Sequence, residues 1–159
     1  MLLYHGSNVI VKNPAFVPQK KELDFGRGFY LTSDYAQAVR WAKTKTERYN
    51  SGNASVSIYE FDEEYANTLK VLLFDKPNRK WLRYVTANRK DMPLKDPWDI
   101  VIGPVANDRT AVAIGLYFRG TIDATATIRM LLTYKLKDQY CLKTAVALQS
   151  ISFVDGKII

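Results

Sequence analysis

The chain has 159 residues, 47% of them hydrophobic and 25% charged, which is the size and composition of a single globular domain. No run approaches the roughly 20 apolar residues of a membrane helix, and the opening MLLYHGSNVIVKN lacks the basic start and long apolar stretch of a signal peptide. Cys141 is the single cysteine and His5 the single histidine, which argues against disulfides and a zinc site and predicts a cytoplasmic protein. A net charge of +7 and an isoelectric point of about 9.4 favour an acidic partner such as nucleic acid, a phosphorylated ligand or an acidic protein.

Residues 2–5 and 8–11 read as short strands, and residues 12–27, rich in Pro, Lys and Gly, as a loop. A strand over 28–33 is entered through Gly26 and Gly28. Ser33 or Asp34 then caps a helix, in which Tyr35, Ala38, Val39 and Ala42 recur at helical spacing. After a turn at 50–53, residues 54–61 and 68–74 are β-rich. Pro77 opens a basic helix over 77–90, with Trp81, Leu82 and Val85 on its buried side. Residues 98–103 form a strand or buried turn, and 108–119 and 123–136 are helical, the first closed by Gly120. Residues 139–144 and 148–154 complete the strands. Cys141, inside one of them, is a small buried hydrophobe. The pattern predicts one α+β domain over 1–159 with a mostly antiparallel sheet.

The charge is uneven. From Asp75 to Lys95 there are seven basic residues (Lys76, Arg79, Lys80, Arg83, Arg89, Lys90, Lys95) against Asp75 and Asp91. The ordinary reading is a helix packed by Trp81 and Val85 with its charges in water. The functional readings are a phosphate-tracking face, with Trp81 or Tyr84 stacking on bases, or a dock for an acidic protein.

Two stretches carry a more specific signal. "LLYHGS" holds His5 at the end of an apolar run. "DFGRGFYLTS" places Arg27 between two glycines whose turns let backbone N–H groups approach a phosphate. A histidine ending the first strand in H-G-S, then a Gly-x-Gly-aromatic-Tyr strand, then a helix, resembles the ADP-ribosyltransferase superfamily, in its diphtheria-toxin-like and poly-ADP-ribose-polymerase-like branch. The resemblance implies a split two-sheet domain with helical insertions, NAD in the cleft, and a His-Tyr-Glu triad that falls on His5, Tyr30 and Gln139. It implies that His5 donates a hydrogen bond to the adenosine ribose and that the Gly6 backbone holds the nicotinamide amide. Tyr30 and Trp41 would sandwich the nicotinamide ring. Arg27 and Gly28 would lie against the diphosphate. A serine of that branch is Ala38 here, with Ser7 a possible substitute. No metal is implied.

Gln139 departs from the pattern. A glutamine accepts hydrogen bonds but is neutral and is no general base. It favours transfer of a single ADP-ribose over chain elongation, and it leaves room for a module that only binds NAD or ADP-ribose. Glu22, Glu47 or Glu60 are other acids able to supply charge, with nothing in their spacing to select one. "YHGS", "DFGRGFYLT", "WDIVIGPVAND" and "QYCLKTAVALQSISF" also look like a bacterial domain family of unknown function whose members often sit beside a small protein gene, as a toxin sits beside its antitoxin. The leading expectation is therefore an NAD-dependent mono-ADP-ribosyltransferase toxin held by a small antitoxin protein, acting on a protein or nucleic acid, with NAD hydrolysis as a variant. The alternatives are an inactive NAD-binding module and a basic nucleic-acid-binding protein.

Overall fold

The computed structural model describes residues 1–16, 23–90, 97–106 and 108–159. Glu22, Asp91, Lys95 and Asn107 lie outside the described residues, as does the middle of the 12–27 loop. Strands β1 (Leu2–Ser7), β3 (Ser55–Phe61) and β7 (Ile151–Ile158) form an antiparallel sheet in the order β1-β3-β7. Strands β2 (Phe29–Leu31), β6 (Asp138–Leu142), β5 (Ile100–Pro104) and β4 (Val71–Leu73) form a second sheet in that order, parallel only between β4 and β5. Among the described residues six helices complete the fold: α1 (Tyr35–Tyr49), α2 (Glu63–Ala66), α3 (Arg79–Arg89), α4 (Asp108–Phe118), α5 (Ala124–Leu131) and α6 (Ala145–Leu148).

Three apolar clusters hold these layers. Leu3, Tyr59 and Phe61 of the first sheet meet Phe29, Leu31, Ile100 and Leu142 of the second. On the far side of the second sheet, Phe25, Val101 and Cys141 pack with Trp81, Tyr84 and Val85 of α3, Ile114 of α4 and Leu131 of α5. On the far side of the first sheet, α1 lays Ala38 and Ala42 over Val56 and Ile58. The small residues are required there. A Cβ on Gly6 would stand 2.0 Å from the Ala38 carbonyl oxygen and 2.8 Å from the Ala42 nitrogen, so helix and strand touch backbone to backbone. The helix starts where Asp34 accepts the Gln37 N–H at 2.7 Å and ends at Asn50, which takes a left-handed conformation (φ 46°).

Three expected elements change, and a short helix is added. Residues 8–11 leave the sheet after Ser7. The Asn8 carbonyl accepts the Asn53 N–H at 2.9 Å, Val11 N–H donates to Ser57 Oγ at 2.8 Å, and Ile10 fills the space over Gly156. The strand expected over 68–74 shrinks to Val71–Leu73, because Thr68 and Leu69 finish the turn that Asp62 opens as the cap of α2. The helix expected over 123–136 ends at Leu131. Thr144 caps the unanticipated helix α6.

The basic helix is settled by burial. Trp81 is fully buried with its Nε1–H donating to the Pro104 carbonyl at 3.0 Å, and Tyr84 is 5% exposed. Neither ring is available to stack on a base, which corrects that expectation. Arg89 is also committed, its Nε 2.6 Å from Asp24 Oδ1. Arg79, Lys80, Arg83 and Lys90 are exposed.

Candidate functional site

The two sheets meet at one bridge. Tyr4 and Thr32 exchange backbone hydrogen bonds of 2.9 and 3.0 Å. In antiparallel register the next bonded pair would be Gly6 opposite Tyr30, yet the bridge is isolated and no hydrogen bond joins those two backbones among the described residues. His5 explains the gap. Its Nδ1 lies 2.7 Å from the Tyr30 carbonyl oxygen, and its ring stacks on Phe29 at 4.3 Å between centroids. The imidazole thus takes the acceptor that strand β1 would otherwise bond, and the Gly6 amide and carbonyl are left facing the parting of the strands.

The chemistry of this histidine follows. Burial pushes its pKa from 6.5 down to about 4, the Tyr30 hydrogen bond opposes the drop, and the charge of Lys45 adds to it. The ring is neutral at ordinary pH. A carbonyl only accepts, so the single proton sits on Nδ1 and Nε2 carries a lone pair. In this tautomer the second ring nitrogen offers a lone pair and no N–H to donate.

Tyr30 and Gln139 share a face. Tyr30 is paired with Cys141 across β2 and β6, and Gln139 lies two residues along β6 from Cys141. The Tyr30 hydroxyl donates to the Gly26 carbonyl at 2.6 Å and accepts the Phe25 N–H at 3.1 Å. Desolvation drives its pKa well up, so this ring is a fixed neutral plate. Gln139 is 3% exposed, and its Nε2 donates to the Pro104 carbonyl at 3.5 Å. That orientation leaves Oε1 as an acceptor with no hydrogen-bond partner among the described residues. The Gly103-Pro104-Val105-Ala106 stretch thereby gains a role. The Pro104 carbonyl holds both Trp81 and Gln139, and the Ala106 N–H reaches Asp24 Oδ2 at 3.3 Å.

The other expected residues take unequal places. Ser7 is buried and donates to Asn8 Oδ1 at 3.4 Å. Gly28 has no room for a side chain, since a Cβ would lie 2.3 Å from Cys141 Sγ and 2.8 Å from the Leu142 carbonyl oxygen. Arg27 is exposed. Trp41 is partly exposed and belongs to none of the three apolar clusters, so core packing does not account for it. Glu60 is exposed on β3 near the acidic edge formed with Asp62, Glu63 and Glu64, beside a shallow cleft of about 220 Å³ lined by Met1, Phe61 and Tyr140. Glu47 is exposed too, half a turn around α1 from Ala38.

One carboxylate at the site escaped the sequence reading. Asp138 accepts from Thr32 Oγ1 at 3.1 Å, Ser33 N–H at 2.9 Å and Ser33 Oγ at 2.5 Å. Beside it, Lys137 pairs with Asp34 at 2.6 Å and holds that carboxyl below its usual range. These bonds lock the start of β6, and with it Gln139, to the turn between β2 and α1.

Fold and site define a mixed α+β protein of two mostly antiparallel sheets that part at a histidine-plugged junction. The chain belongs to the family described as "Protein of unknown function (DUF3990)", which matches residues 1–153. No curated protein and no solved structure matches the chain. Among the described residues no helix is long and apolar enough to cross a membrane, and no group of three or more His, Cys, Asp or Glu side chains is placed to hold a metal ion.

Proposed function

We propose that the chain is an NAD-dependent mono-ADP-ribosyltransferase with an ADP-ribosyltransferase-like fold, and that NAD lies along the junction of β1 and β2. The observation that carries this reading is the unmade backbone pair at Gly6 and Tyr30. A buried amide and carbonyl without a β2 partner, one residue from a neutral imidazole acceptor, suit a carboxamide and a ribose hydroxyl. A carboxamide offers one acceptor and two donors, which the Gly6 N–H and C=O complement. The Tyr30 ring, fixed at its hydroxyl, supplies a plate for the nicotinamide, and Trp41 the opposing one. His5 Nε2 would accept from a ribose hydroxyl, and Gln139 Oε1 from a hydroxyl of the nicotinamide ribose. Arg27 and the Gly28 turn would border the diphosphate.

The reaction breaks the bond between nicotinamide and C1′ of its ribose. The pair of electrons leaves with nicotinamide, and an acceptor nucleophile bonds to C1′ and gives up its proton. Orientation is what the residues named here supply. Gln139 takes no proton, so the base belongs to the acceptor. Single transfer, a protein or nucleic-acid acceptor and a toxin's place in the cytoplasm with a small antitoxin partner all belong to this proposal.

The test is nicotinamide release from NAD, followed by chromatography with cell extract present, for the native protein, His5→Ala and Tyr30→Ala. Release that both folded variants lose supports the reading. Binding of NAD without release from native protein moves the function to a module that only binds, for which neutral Gln139 is the reason.

A further inference from the structure

The flank of α1 that overlooks the junction carries three groups without an explanation inside the fold. Gln37 is 2% exposed, and its Nε2 has no hydrogen-bond partner among the described residues, although its Oε1 accepts from Arg40 Nη2 at 2.8 Å. Trp41 is partly exposed outside the apolar clusters. Lys45 is half-buried, no acid pairs with it among the described residues, and its charge reaches His5. Native proteins rarely bury a polar hydrogen without an acceptor, and a desolvated ammonium without an anion is costly. Both fall on the same stripe, because residues four apart share a helix face.

The direction of that stripe is fixed by its neighbours. Ala38 and Ala42 sit on Gly6, and Val39 packs against the cluster that these two alanines form with Val56 and Ile58 of β3. Positions 37, 41 and 45 therefore lie on the flank of α1 away from Val39, and the charge of Lys45 on that flank reaches His5 of β1. The order along the helix matches a dinucleotide. Gln37 and Lys45 are about 12 Å apart along the axis at 1.5 Å per residue, comparable to the reach from a nicotinamide carboxamide to the diphosphate of an extended NAD.

We propose that Gln37 donates to the carboxamide oxygen of nicotinamide and that Lys45 holds an oxygen of the dinucleotide's diphosphate, with Trp41 stacked between them. This rests on the function proposed above and deepens it. Gln37 replaces the hydrogen bond that Ala38 is unable to make. Neither residue is a base or nucleophile; both position the substrate.

The experiment separates the two ends of the ligand. Calorimetric titration with NAD, ADP-ribose and 3-aminobenzamide is run on native protein, Gln37→Met and Lys45→Gln, each checked by circular dichroism. ADP-ribose lacks the nicotinamide, and 3-aminobenzamide lacks phosphates. Lys45→Gln is expected to weaken NAD and ADP-ribose roughly tenfold, the scale of one charge-assisted hydrogen bond, and to leave 3-aminobenzamide unchanged. Gln37→Met is expected to weaken NAD and 3-aminobenzamide about fivefold and to leave ADP-ribose unchanged. A structural role would shift all three ligands together. Shifts in step, or none, with native NAD binding intact, overturn this assignment alone. Native protein that binds none of the three overturns the proposed function with it.

Discussion

The partly buried imidazole of His5 makes a quantitative claim, and the chain has only one histidine with which to test it. A pKa lowered from 6.5 to about 4, chiefly by burial and further by Lys45, means that the unfolded chain takes up a proton that the folded one refuses. The sign follows from linkage. Stability is greatest above pH 6.5, falls as pH drops toward 4, and changes no further from this group below that. The full loss is about 3 kcal/mol at 1.36 kcal/mol per pH unit, and about 2 kcal/mol of it is spent between pH 8 and pH 5. Urea unfolding of native protein and His5→Gln at those two pH values isolates the contribution, since other titrations cancel in the difference. A heteronuclear spectrum of the ring reads the pKa directly from one Cε1–H signal, and its nitrogen shifts report the proton on Nδ1. Lys45→Met moves the midpoint upward by removing one cause of the depression. A midpoint near 6.5, or a proton on Nε2, refutes both the neutral acceptor and the plug between the strands.

Two further outcomes concern the scaffold. Gly6→Ala drives a methyl into the backbone of α1, and the cost is at least about 3 kcal/mol, or roughly 10 °C in Tm for a domain of this size; a thermal melt within 2–3 °C of native, by the same scale, contradicts the close contact. Trp81→Ala costs about 3–5 kcal/mol by denaturant unfolding because it empties the α3 core and removes the shorter of two hydrogen bonds to the Pro104 carbonyl. Changing exposed Arg79, Lys80 and Arg83 together to Gln leaves the unfolding midpoint nearly untouched, and the reverse pattern would place Trp81 at the surface.

The sequence reading succeeds where one element repeats a period and fails where an element is a single turn. The stripe Tyr35, Ala38, Val39, Ala42 specifies α1, and Trp81, Leu82 and Val85 specify the buried side of α3. Helices α2 and α6 are four residues long, too short for any periodicity, and only their caps Asp62 and Thr144 signal them. Residues 8–11 have the composition of a strand, yet strand formation needs a partner edge. β3 starts at Ser55 opposite Ser7, so no edge remains for Val9 to Val11. At the site, the motif positions His5, Gly6, Tyr30 and Gln139 were legible, but the direction of the His5 proton was not. It depends on the Tyr30 carbonyl, 25 residues away. Gln37 and Lys45 were invisible for a similar reason. A buried donor without an acceptor is defined by what surrounds it, and no local spacing encodes that.

The charges at the junction connect these points to what the proposed site does well. Where the resemblance expects a glutamate, Gln139 is neutral, and Lys45, which pairs with no acid among the described residues, brings a positive charge toward the same junction. A cation developing on the ribose gains nothing from either, since electrostatic catalysis requires charge of the opposite sign aimed at the place where charge develops. In the proposed complex the diphosphate of NAD would gain from Lys45 in ground state and transition state alike, and such uniform binding lowers KM without raising kcat. On this reading the site grips dinucleotide firmly and cleaves it slowly unless the acceptor brings a negative group of its own. Gln139→Glu restores the missing charge. It is expected to raise kcat for nicotinamide release while leaving the affinity for ADP-ribose within about twofold, because the added carboxylate acts on the charge that forms at C1′.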